Sequence, residues 1–175
     1  MSATAPARPE AGEYAPYYEK YVSLVPDGNI VETLERQAAE TVALLRSIPE
    51  ERAASRYEAG KWSVKEVLGH VTDSERVFAY RALRFARHDS TPLSGFEQDD
   101  YVRAANFDAR PFASLVAEFE SVRAATLSLL RSLDVDAWQR RGAANDNEVT
   151  VRALAHIIAG HELHHVGILR ERYLK

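Results

Sequence analysis

His161 and His165 are the residues of this chain whose type and spacing most directly suggest chemistry. They stand four positions apart in the segment 150–173, TVRALAHIIAGHELHHVGILRERY. On a helix of about 100° per residue, Leu154, Ile157, Ile158, Ile168 and Leu169 share a stripe roughly 120° wide, with both histidines in its middle. Side chains at i and i+4 lie one turn apart on the same face, so these two imidazoles can hold one divalent ion. A single inward histidine is ordinarily a core residue hydrogen-bonded to a neighbour. Two stacked ones bring two lone pairs and two N–H groups into an apolar stripe, where unpaired polar groups are costly, and a metal takes both lone pairs at once. His164 falls just outside the stripe, His156 faces the far side and His88 lies in a loop, so none of these is expected to be a ligand.

Composition restricts what else could take part. A chain of 175 residues that is 46% hydrophobic is large enough for one domain with a sizeable core. It has no cysteine, which excludes disulfides, thiolate nucleophiles and thiolate metal sites and leaves His, Asp and Glu as ligands. The net charge of −4 speaks against a nucleic-acid partner, which would want a basic face. With no apolar run of signal-peptide or membrane-spanning length, a soluble cytoplasmic protein without a membrane partner is expected.

The elements that must position the histidines follow from periodicity. Residues 1–28 carry Pro6, Pro9, Pro16 and Pro26 and read as a tail followed by an extended arm, pinned to the body by Tyr14, Tyr17, Tyr18 and Tyr21. Residues 29–175 form the body. A first helix starts after Asp27 or Asn29 and runs to Ile48, with Ile30, Leu34, Ala38, Val42, Leu45 and Ile48 on one face. A second starts at the capping box Ser63-Val-Lys-Glu66 and continues to about Arg87, with Val64, Val67, Leu68, Val71, Phe78, Ala82 and Phe85 inward. His70 flanks that stripe, about 100° from its centre.

Residues 88–110 read as a long irregular connection containing Pro92 and Gly95. A third helix begins at Pro111 and runs to Leu133, with Leu115, Phe119, Val122, Thr126 and Leu129 inward. A loop with Trp138 and the polar run Asn145-Asp-Asn-Glu148 leads to the Thr150 cap, and no useful strand alternation is present. Four amphipathic helices predict an all-α four-helix bundle. The long connection can return along the bundle, which allows an up, down, down, up order and makes the second and fourth helices antiparallel. His70 then lies within roughly 5 Å in height of the His161–His165 midpoint, against roughly 9 Å in the parallel arrangement.

Several segments also carry a family resemblance. They are Lys61-Trp-Ser-Val-Lys-Glu66, Gly69-His70-Val-Thr-Asp73-Ser-Glu75-Arg76, Tyr80-Arg-Ala-Leu-Arg84, Gly95-Phe-Glu-Gln-Asp-Asp-Tyr101 and Gly160-His-Glu-Leu-His-His165. Together, over about residues 14–174, the chain resembles the DinB-like proteins. The resemblance implies an up, down, down, up bundle, often dimeric, with a divalent metal on one histidine of the second helix and two of the fourth. Those positions match His70, His161 and His165. Zinc or nickel is expected first as the ion, then iron or manganese. Some relatives are metal-dependent transferases or isomerases that use bacillithiol, mycothiol or glutathione. The implied function is a metal-dependent transferase or hydrolase acting on a small molecule through metal-bound thiolate or hydroxide. A homodimer is the implied assembly, and the alternative is a non-catalytic, metal-stabilised stress-response or interaction bundle.

His161-Glu-Leu-His-His165 also fits the H-E-x-x-H pattern of zinc proteases, with Glu162 as general base. That reading fails: Ile168 and Glu171 stand where a metzincin needs Gly and His, and too few residues follow for another downstream ligand. Glu162 at the stripe edge is left with either an acid/base or supporting role, or a solvated one. Three neutral histidines leave coordination positions open, as catalytic sites do and sealed structural ones do not. The pocket is expected between the second and fourth helices and the 88–110 segment, where Gln98-Asp-Asp100 either orients a bound amine or water or is simply solvated.

Overall fold

A computed structural model of the chain describes residues 6–175; the first five residues of the expected tail lie outside the described residues. Four long helices form the body: α1 (Ile30–Arg46), α2 (Val64–Ala86), α3 (Phe112–Arg131) and α4 (Val151–Ile168). Their starts follow from side chains that satisfy the free N–H groups of a first turn. The Asn29 side chain accepts from the N–H of Val31 and Glu32, and Thr150 accepts from Ala153. Ser63 and Glu66 make the reciprocal capping box. Pro111 takes the cap position of α3 with ψ 134°, so that helix begins one residue later than the sequence suggests. α4 widens into a π turn over Leu169–Tyr173.

Pairings between the helices give their directions. Arg46 and Arg131 at the end of α1 and α3 reach Glu120 and Glu35 respectively, so these helices are antiparallel. Lys65 donates to the Arg110 carbonyl and Arg76 pairs with Glu118, so α2 and α3 run parallel. Tyr173 donates to the Trp62 carbonyl while His161 meets His70, so α2 and α4 are antiparallel. Gln37 donates to the Ala159 carbonyl and Arg52 to that of Tyr173, so α1 and α4 run the same way. The result is the up, down, down, up bundle.

Four details depart from the expectations. Residues 88–110 are not irregular throughout: Gln98–Ala105 is a helix and Phe107–Ala109 a 3-10 turn, docked by Val102 and Phe107. Only one residue of that short helix is buried, too few to establish a periodicity. A hairpin, β1 (Arg141–Ala144) and β2 (Asn147–Thr150), precedes α4. Its two turn residues, Asn145 and Asp146, have φ 51° and 60°, the left-handed pair such a tight turn requires and that Asn and Asp tolerate. The arm is not extended throughout, because residues 16–22 form a 3-10 turn and one α turn, with Tyr14 and Tyr21 buried and Tyr17 exposed. Finally, the inward face of α3 is turned toward Val116, Arg123, Leu127 and Leu130, while Val122 and Leu129 are only partly covered.

The apolar core is split into two clusters. One gathers Leu34, Phe78, Phe85, Leu130, Trp138 and Leu154. The other gathers Val42, Val71, Phe107, Leu115, Phe119 and Leu169. Between them every long helix contributes buried polar side chains: Gln37 and Thr41 from α1, Ser74 and Glu75 from α2, Arg123 and Thr126 from α3, His161 and Glu162 from α4. The candidate site opens from this layer.

Gly160 brings the arm to the layer. A Cβ there would come within 2.0 Å of the Tyr21 carbonyl oxygen, which is backbone and cannot swing aside. Gly160→Ala is therefore expected to push the arm off α4 and destabilise the protein by roughly 1–3 kcal/mol, as overpacking does. Urea unfolding measures this, and an unchanged midpoint would contradict the close approach.

Candidate metal centre

His70 lies on the second turn of α2 and His161 and His165 lie on successive turns of α4. The antiparallel crossing brings the three rings together, with centroids 4.8, 4.8 and 4.5 Å apart. One ring nitrogen from each lies within 4.8 Å of the other two, and the Nε2 atoms of His70 and His161 are 3.0 Å apart. Among the described residues this is the group of His, Asp or Glu side chains that converges closely enough to hold an ion. Ser74, one turn beyond His70, places its hydroxyl 3.4 Å from Nδ1 and so helps aim Nε2 at the other rings. Trp62 packs on His70 with ring centroids 4.9 Å apart, and Tyr21 packs on His161 at 5.2 Å.

The nitrogens fit an ion by their chemistry. Ligands about 2.0–2.1 Å from a common ion lie roughly 3–4 Å from each other; the His70 and His161 nitrogens, at 3.0 Å, meet that spacing, and His165 lies within 4.8 Å of both. Burial favours neutral imidazole. It brings His70 down to about 4 and His165 to about 3, with neighbouring histidines adding to the effect. His161, the deepest, is also held well below the ordinary value by burial and then by His165 and His70. All three are therefore neutral at pH 7, with lone pairs available.

A pH dependence follows with a definite sign. The unfolded histidines take up protons near pH 6.5 and the folded ones only near 4 or below, so between these values the unfolded chain binds more protons. Stability of the metal-free protein is thus expected to be level above about pH 7 and to fall toward pH 4, by on the order of 1 kcal/mol per histidine per pH unit. Urea midpoints at pH 7 and pH 5, set against those of His70→Gln, measure it. An equal fall in both proteins would remove the histidines as the cause.

Two cavities flank the rings. The larger, about 370 Å³, is lined by His70 and His161 together with Tyr18, Phe78, Phe96 and Asp99. The smaller, about 260 Å³, is lined by His165, Trp62, Tyr173 and again Asp99. The helix Gln98–Ala105 therefore stands with its first turn at both openings, which places the 88–110 segment over the site as expected.

The other candidates fall elsewhere. His156 is away from the cluster, but its face is covered, not solvated: it is 3% exposed, and its Nδ1 is 2.9 Å from the Arg152 carbonyl. His88 is an exposed residue with φ 61°, and His164 stands beside Tyr21, outside the converging group. Glu162 is neither solvated nor aimed at the rings. It is 1% exposed and accepts from Arg123 at 2.7 Å, with its second oxygen unpartnered among the described residues. Burial pushes its carboxyl above the usual range.

Arg123 and Glu75 are polar residues of the site region that the sequence analysis did not single out. Arg123 donates through Nε and a terminal nitrogen to both oxygens of Glu75 at 2.8 Å, and to the Leu34 carbonyl at 3.0 Å. With Glu162 this ties α1, α2, α3 and α4 together beside the metal-ligating turns. Helical spacing does place both inward, Glu75 four residues after Val71 and Arg123 four after Phe119, but a charged residue is normally assigned to the solvent face and only its partners reveal the burial.

Sequence and structure comparisons agree with this picture. A protein of Oceanobacillus iheyensis named "putative metal-dependent hydrolase" is 23% identical over 142 residues, covering 80% of this chain and 79% of its own. YfiT from Bacillus subtilis is described as "a probable metal-dependent hydrolase with an unusual four-helix bundle topology". It superposes with a TM-score of 0.73 at 18% identity, covering 81% of this chain and 82% of its own. The family model of the DinB superfamily matches residues 33–169, a span that takes in the four helices, all but the first three residues of α1, and the three converging histidines, and the chain belongs to that superfamily.

Proposed function

We infer that this protein is a metal-dependent hydrolase of small molecules, with His70, His161 and His165 holding one divalent ion. The observation that carries the reading is that three neutral imidazoles converge between two cavities, His70 and His161 lining one of 370 Å³ and His165 one of 260 Å³. Both relatives described above bear metal-dependent hydrolase names, which supports the same reaction class. A bound divalent ion would supply Lewis acidity, lowering the pKa of a water or thiol and polarising an electrophile. The chain's own groups do the rest. Ser74 and Trp62 orient His70, and Tyr21 backs His161. A non-catalytic, metal-stabilised bundle would be expected to offer a fourth protein ligand and no room for substrate. Among the described residues the converging group has three members, and the cavity is of small-molecule size.

A second reading, transfer to or from a small thiol, is favoured by the separate 260 Å³ cavity at His165, which would give a second reactant its own approach. One experiment tests both. Untagged protein is expected to contain about one ion per chain, and chelation is expected to lower Tm by several degrees, since an ion at 1,000 times its Kd contributes about 4 kcal/mol. Esters and amides are then screened with and without added thiol. Turnover without thiol supports hydrolysis and thiol-dependent turnover supports transfer. Protein that neither holds metal nor changes its melt on chelation would end both readings.

A further inference from the structure

We propose that the larger cavity selects small molecules carrying a protonated amine beside an apolar body, the amine at the rim and an uncharged reacting group toward the histidines. This rests on the reading above for which end reacts, and adds what the other end recognises. The wall of the cavity combines the aromatic rings of Tyr18, Phe78 and Phe96 with the polar side chains of Ser74, Asn145 and Asn147, and its rim carries the carboxylates of Glu97 and Asp99. Nearby acidic residues are already neutralised: Asp89 pairs with Arg84 and Asp100 with Arg103. Glu97 and Asp99 are exposed and pair with no Lys or Arg among the described residues; the cations that stand at the wall, Lys20 and Arg81, pack on its aromatic rings instead.

Two acidic residues on a flat surface would be an ordinary solvated pair. Here they sit at the mouth of a concavity whose mixed polar and aromatic wall includes the rings of Tyr17, Tyr18, Tyr21, Phe78 and Phe96, π faces that attract cations. The chain supplies its own example. The Lys20 ammonium lies 3.9 Å from the Tyr17 ring centroid and 4.8 Å from that of Tyr21, and both tyrosines also line the cavity. The orientation follows from the charges. A cation is repelled from an ion at the histidines and attracted by the rim, whereas an anion would meet the two rim carboxylates on its way in.

The test is calorimetric binding to the full chain of phenethylamine, its neutral counterpart 2-phenylethanol, and phenylacetate. Phenethylamine is expected to bind at least about tenfold more tightly than the alcohol, with the preference weakening as salt rises. Glu97→Gln with Asp99→Asn should erase that preference without changing metal content, and Lys20→Ala should strengthen it by removing a competing ammonium. Equal binding of amine and alcohol, or a preference that survives the double substitution, would overturn the proposal. Repeating the titration after chelation separates the two readings. An amine preference in protein that never holds metal supports this inference and not the hydrolase. Stoichiometric metal without amine preference does the reverse.

Discussion

Replacing His161 with alanine is expected to abolish stoichiometric metal binding. His161 is the ring that meets both others closely, with its Nε2 3.0 Å from that of His70 and its ring 4.5 Å from that of His165. Its loss would leave two nitrogens from two helices and a void where the third stood. Removing even an outer partner of a metal ligand typically costs about 10–100-fold in affinity, so removing a ligand itself should cost more than about 100-fold. His70→Ala and His165→Ala should behave alike. His156→Ala and His164→Ala should keep the ion, although His156→Ala should lower stability because that ring is buried against the arm. Elemental analysis of the five variants gives the answer, and equal loss from all five would discard the assignment. Gain of heat stability on adding zinc gives an independent readout, present in wild type and absent in the first three variants.

The second large effect concerns Arg123, which touches no histidine. Arg123→Ala would strand Glu75 and Glu162, 2% and 1% exposed, without their shared cation. Breaking a buried ion pair by removing one partner costs roughly 3–5 kcal/mol, because the remaining charge is left desolvated. With two carboxylates left, the upper end is expected. Burial alone would lower the tendency of the guanidinium to hold its proton, but Glu75 and Glu162 more than offset it, so Arg123 stays charged. Replacing all three members together, as Glu75→Gln, Arg123→Met and Glu162→Gln, should recover much of the loss, since no unpaired charge then remains. Urea unfolding of the single and triple variants tests this. A single variant as stable as wild type would mean that the network contributes nothing.

Much of this molecule was legible in the chain. The helices and their caps rest on local rules: Ser63 with Glu66, Thr150 before Val151, and apolar residues recurring every three or four positions. Such signals act within one or two turns and need no knowledge of what lies opposite. The pair His161 and His165 is likewise a local fact, four residues on one helix. Short elements were harder to read. The helix Gln98–Ala105 buries only Val102, and the hairpin strands are four residues each, so neither shows a pattern long enough to separate from a loop. The Asn145-Asp146 turn was the one available clue.

What the sequence by itself determined, then, is four amphipathic helices, the absence of any protein thiol, and two histidines on one helical face. That the third histidine is His70 came from family resemblance. Periodicity left it flanking the core of its own helix, and only the crossing of α2 and α4 buries it and sets its Nε2 3.0 Å from His161. The polar layer was decided by tertiary structure as well. Taken one helix at a time, Gln37, Glu75, Arg123 and Glu162 are assigned to solvent by residue type, because a polar or charged group is stable in water whatever its distant neighbours are. They become core residues only where four helices bring donor and acceptor together at one height. Their burial is a property of the partners, which are 39 and 48 residues apart for Arg123 with Glu162 and Glu75, and no local pattern encodes a pairing over that distance.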